Sequence, residues 1–222
     1  MKAMKTGLLV VFALLAVSFT AGANPILVTF NNGGNYADGG VYVGLYQLTL
    51  GSGADAEVLF SPCLSYNLEV SGGEQWFANE VNLFDVPLGD LAALKRVVWL
   101  NMQFAPAYSP GGNTGTIAPI QHAIWDLGEQ VSGRPATFSD SDTLGWLAAA
   151  SANYAFISDG AYGEYSVLVP VGTDIGGMGS NVPAGTPQFY LERTDTPEPF
   201  TVVLIGGGLI VLGIKGRKRL DR

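Results

Sequence analysis

Val41-Tyr-Val-Gly-Leu-Tyr-Gln-Leu-Thr-Leu50 carries β-forming residues in strand-like alternation, and its reading decides the fold class. Before it, Asn31-Asn-Gly-Gly-Asn-Tyr-Ala-Asp-Gly-Gly40 is crowded with turn formers. After it, Glu57–Tyr66, Leu68–Val70 and Trp76–Phe84 continue the strand pattern, separated by turns at Gly51-Ser-Gly53 and Ser71-Gly-Gly73. The first third of the chain therefore reads as antiparallel sheet.

The period then changes. Within Asp90–Met102, Leu91, Leu94, Val98 and Met102 fall at i, i+3, i+7 and i+11, the stripe of an amphipathic helix. Ala105–Gly115, with two prolines and three glycines, reads as a loop. Pro119 suits the first turn of a second helix whose Ile120, Ile124 and Leu127 share a face. A third helix is expected over Asp140–Tyr154, capped by Ser139 or Asp140 despite Gly145. Val167–Val171 and Gln188–Leu191 return to strand. The order predicts an α+β fold: an antiparallel β-sandwich or barrel-like sheet with an inserted helical subdomain at about residues 88–156.

Both ends read as targeting segments. Lys2 and Lys5 precede an apolar stretch from Gly7 to Phe19, and Ala21-Gly-Ala23 has the small-x-small pattern of a signal-peptidase site, giving a signal peptide at 1–23. At the other end, Thr196-Pro-Glu-Pro199 leads into an apolar run, Phe200–Ile214, and then Lys215-Gly-Arg-Lys-Arg219. As a helix those 15 residues reach about 22 Å, short of a bilayer core of about 30 Å. Lys215, Arg217, Lys218 and Arg219 act as a membrane stop that stays cytoplasmic, which places the body across the membrane. Residues 196–222 resemble the PEP-CTERM sorting signal of Gram-negative bacteria, with Pro197, Glu198 and Pro199 as its motif. The resemblance implies export across the inner membrane, a membrane anchor that lasts until an exosortase-type enzyme cuts, and release to the cell surface or an exopolysaccharide matrix.

The remaining body, 24–195, contains Lys95, Arg96, Arg134 and Arg193 against 17 acidic residues, a net charge of −13. That balance disfavours nucleic acid and anionic membrane surfaces as partners. No Asp-x-Asp-x-Asp-Gly loop is present, so the acidity reads as solubility and not as a calcium site, and no metal or cofactor is expected.

Cys63 is the single cysteine and has no disulfide partner in the chain. Taken alone it reads as a small buried side chain within a strand. Ile120-Gln-His-Ala-Ile-Trp125, however, resembles the Thr-Gln-x-Ala-Ile-Trp motif of bacterial thioester domains, with Ile120 in place of threonine. That resemblance, stretched loosely over Val41–Tyr190, implies a bond between Cys63 and Gln121 formed with loss of ammonia. It also implies auxiliary roles for His122, Ile124 and Trp125, the last two as apolar walls that keep water out.

His122, the only histidine, has competing readings: a solvated helix residue, an assistant when the thioester is attacked, or the base of a Cys63 hydrolase dyad. Adjacent helical residues diverge by about 100°, so Gln121 and His122 cannot both face Cys63 squarely. With no Gly-x-Ser-x-Gly elbow and no zinc-binding His pair, the chain reads as a non-enzyme. Tyr42 and Tyr46 are expected on one strand face, and Tyr42, Tyr46, Trp76, Phe77, Trp99, Trp125 and Trp146 divide between core and a platform for sugar rings. The expectation is an exported adhesion or attachment protein acting on a surface glycan or protein nucleophile through a thioester. The alternative is a noncovalent carbohydrate-binding or structural matrix protein with an inert cysteine; a cysteine hydrolase is the remote third.

Overall fold

The computed structural model describes residues 24–33, 36–66, 68, 70–86, 88–109, 111–131, 138–173 and 188–193. The signal peptide, the sorting motif and the membrane stop lie outside the described residues, among which no helix is long and apolar enough to cross a membrane.

Six strands form one antiparallel sheet: β1 (Ile26–Asn32), β4 (Leu45–Leu50), β5 (Glu57–Pro62), β6 (Gln75–Asn82), β7 (Tyr165–Pro170) and β8 (Tyr190–Arg193), in the order β5-β4-β1-β6-β7-β8. A separate hairpin joins β2 (Tyr36–Asp38) to β3 (Val41–Val43). The two sheet edges meet at one end. Cys63 bridges Tyr190, the Leu64 amide donates to the Phe189 carbonyl at 2.8 Å, and the Ser61 hydroxyl donates to the Leu191 carbonyl. The sheet is therefore a nearly closed barrel.

Alternation assigns its two faces. Val28, Phe30, Tyr46, Leu48, Leu50, Cys63, Trp76, Ala78, Leu168 and Tyr190 fill the interior as one apolar cluster. On the outside, β7 and β8 turn Val167, Val169 and Leu191 toward the helices, which is why every residue of β7 is buried. The helices are α1 (Leu88–Tyr108), α2 (Ile117–Val131), α3 (Ser141–Asn153) and the single turn α4 (Asp159–Tyr162). Asp140 caps α3, accepting from the Thr143 amide at 2.9 Å. The outer face of β5, β4 and β1 carries polar pairs such as Asn31–Thr49 and Asn32–Gln47.

Three expectations are corrected. The run from Val41 to Leu50 is two strands and not one, broken at Gly44, whose φ of 97° requires glycine. A Cβ there would meet the Tyr108 hydroxyl at 2.2 Å, and that hydroxyl accepts from the Leu45 amide. Tyr42 and Tyr46 consequently part company: Tyr42 is 56% exposed and Tyr46 only 5%. Next, the first helix continues through Pro106 and ends two residues later at Tyr108, the proline having removed one N–H donor from the last turn. Finally, Leu68 and Val70 are not in a strand, since the chain leaves the sheet at Cys63.

Candidate functional site

Pro119 sits in the first turn of α2, and Gln121, Trp125 and Gly128 follow along one side of that helix at i, i+4 and i+7. Gly128 sets the distance to the sheet. A Cβ at this position would lie 2.1 Å from the Leu64 carbonyl oxygen, so only glycine lets the helix backbone rest on the strand exit. With the helix seated there, the Gln121 side-chain nitrogen donates to the Cys63 carbonyl at 2.7 Å. Both residues have zero exposure.

The structure thus brings Cys63 and Gln121 together. The Cys63 thiol donates to the Ser65 carbonyl at 3.2 Å and accepts from the Ser65 amide at 3.3 Å. Burial pushes its pKa up to about 12, against the smaller opposing pull of the Ser65 amide and the Trp125 indole; the Glu129 carboxylate adds to the rise. Trp125 favours the thiolate by proximity, but its N–H makes no hydrogen bond of normal geometry, so it is a neighbour of the sulfur and not a bonded partner. The Gln121 side-chain oxygen is buried with no hydrogen-bond partner among the described residues. Such an acceptor costs stability unless something compensates.

His122 faces elsewhere. Its ring stacks on Phe138, with centroids 4.0 Å apart and planes 4° from parallel, and its Nε2 lies 3.5 Å from the Asp38 carboxylate on β2. Burial lowers its pKa, overriding the carboxylates of Asp38, Asp140 and Asp126, so the imidazole is neutral at pH 7. Its contacts are with these groups and with Trp125, not with Cys63. Ile124 is fully buried in the helical core.

A cleft of about 450 Å3, lined by Phe30, Tyr42, Tyr46, Tyr66, Trp125 and Gln188 together with hairpin and loop residues, shares Tyr46 and Trp125 with the surroundings of Cys63. Tyr46 and Tyr190 stack edge to face at 5.9 Å, and Tyr66 packs on Trp125 at 5.0 Å, walling the thiol from this opening. Gln188 holds the wall in place: it donates to the Leu68 carbonyl and accepts from the Tyr190 hydroxyl at 2.9 Å. Among the described residues no group of acidic, histidine or cysteine side chains could hold a metal ion.

Gly128, Ser65, Gln188 and Tyr190 were not singled out by sequence reasoning. A signal existed for Gly128 alone, since it falls seven residues after Gln121 on the same helix face. No protein-family model, curated protein or solved structure matches this chain.

Proposed function

We propose that this chain is an exported surface or matrix protein that attaches covalently to its target through a thioester between Cys63 and Gln121. The observation that carries the reading is the juxtaposition of a buried thiol residue and a buried carboxamide, held by the 2.7 Å hydrogen bond between them. In the forming step the sulfur bonds to the Gln121 side-chain carbon, the bond from that carbon to nitrogen breaks, and the thiol proton leaves with the amide group as ammonia. Attachment reverses the roles: an incoming amine bonds to the same carbon, the carbon–sulfur bond breaks, and the thiol regains a proton.

Amines suit this setting better than hydroxyls. A neutral amine attacks a thioester unaided, whereas a hydroxyl needs a general base, and His122 is turned toward Asp38 and Phe138. The same orientation argues against a hydrolase dyad. The aromatic walls supply the dryness that an activated acyl group needs. Export rests on the two terminal segments and their resemblance to a signal peptide and a PEP-CTERM signal.

The test is the intact mass of the full-length chain, purified without thiols or amines, beside Cys63→Ala. A deficit of one ammonia, absent from Cys63→Ala and replaced by an adduct after methylamine, is the expected result. Because Cys63 is fully buried, alkylation must be done after denaturation. Full mass together with a thiol that alkylates quantitatively in denaturant overturns the reading and leaves Cys63 as a packing residue.

A further inference from the structure

A second concavity shares no residue with the cleft beside Cys63. It is a groove of about 520 Å3 where the start of α2 meets the first two turns of α3, lined by Asn113, Thr116, Ser141, Asp142, Gly145 and Trp146, with Gly115, Pro119 and Ala149 completing it. That volume lies within the range of small-ligand sites. Asp142, Gly145, Trp146 and Ala149 fall at i, i+3, i+4 and i+7, so one face of α3 forms one wall. Asn113 and Thr116 stand on the opposing turn, which ties itself together: the Asn113 side-chain oxygen accepts from the Gly115 amide at 3.1 Å and the Thr116 hydroxyl donates to the Asn113 carbonyl at 2.7 Å.

Gly145 is the informative position. Glycine in a helix interior weakens the helix, and it is normally explained by a neighbour that needs the room. Here a Cβ would meet nothing within 4 Å. Packing does not require this glycine; what its missing side chain leaves open is the groove beside Trp146. The half-buried Trp146 ring packs at a tilt against Trp99, with centroids 6.2 Å apart and planes at 46°, and lines the groove.

We infer that this groove is a noncovalent binding site for a neutral saccharide, with the ring stacked on Trp146 and its hydroxyls bonded to Asp142, Ser141, Thr116 and Asn113. A sugar ring presents a face of C–H groups and an edge of hydroxyls, and the groove pairs an aromatic plate with a carboxylate, two hydroxyls and an amide. No cationic side chain is among the described lining residues, and the body carries a net charge of −13, so acidic sugars and phosphates are disfavoured.

The experiment is calorimetric titration of the full-length chain with a panel of neutral trisaccharides (maltotriose, cellotriose, mannotriose and chitotriose) and with trigalacturonate as an acidic probe. The expected result is saturable binding of at least one neutral member, weakened about tenfold or more by Trp146→Ala and by Gly145→Gln. Gly145→Gln should leave the melting temperature unchanged or raise it, because glutamine favours the helix over glycine and a Cβ at this position meets no atom within 4 Å. Asp142→Asn should weaken binding while folding normally, and Cys63→Ala should bind like the parent, which separates this site from the thioester. Absence of binding by every neutral member, preference for trigalacturonate, or full affinity in Gly145→Gln overturns the inference.

Discussion

The two ends of the barrel are built by the same alternation and finished in opposite ways. At one end, Phe30, Tyr46, Trp76 and Tyr190 point inward and the seam between β5 and β8 is bonded shut beside Cys63. At the other, register sets Glu57, Glu80 and Glu192 opposite Leu50, Leu168 and Ser166, with Glu57 exposed at the rim, Glu80 half-buried and Glu192 buried. Glu192 is 8% exposed, and burial together with Glu80 and Glu57 raises its pKa to about 7. A barrel wall needs inward side chains at every second position, but only one end fills those positions with rings. The contrast shows where the chain has been given over to rigidity and where it keeps ionisable groups inside.

Substitutions at each end sharpen this contrast. The largest effect is expected from Gly128→Ala, which drives a methyl group into the Leu64 carbonyl at the ring-filled end. It should destabilise the protein by about 3 kcal/mol in urea melts, the cost of overpacking exceeding the helical gain. A neutral or stabilising result would mean that α2 is not clamped on the strand exit.

Glu192→Gln comes next, and its effect depends on pH. The folded-state pKa of about 7 lies above the ordinary 4.5, so the Glu192 contribution to stability is full below pH 4.5 and is lost as pH rises through 7. Glutamine removes that loss. The variant should match the parent near pH 4.5 and exceed it by about 2 kcal/mol at pH 8, allowing for water at the barrel mouth. Equal gains at both pH values would mean that the acidic end is not under electrostatic strain.

Smallest is Phe60→Ser on the outer face of β5, where the ring is 60% exposed and touches neither end's interior. A change in stability of under about 0.5 kcal/mol is expected by thermal melting. A larger loss would reveal that the barrel's outer face is covered in solution.

How much of this was legible in the sequence differs by residue. The alternation from Leu45 to Leu50, the apolar stripes of the first two helices and the Asp140 cap of the third are local signals, so the sheet and its helical insertion can be read locally. Gly44 looks like a weak point in a strand until Tyr108 is folded against it. The pairing of Cys63 with Gln121 was readable through motif resemblance, not through physics, because nothing local relates two residues 58 apart. The partner of Gly128 is a carbonyl of a distant strand, and Glu192 acquires its acidic neighbours only from register. Local pattern fixes elements; contacts between elements escape it.

The bonded seam has a consequence for timing. The Ser61–Leu191 hydrogen bond joins residues 130 positions apart, and β8 is the last strand of the described chain. Contacts of such long sequence separation form late, because the loop between them must close first. The chamber around Cys63 is therefore completed near the end of folding, and any chemistry that depends on its dryness can begin only once almost the whole body has emerged. The dryness around the sulfur is thus a property of the closed seam and not of the strand that carries Cys63.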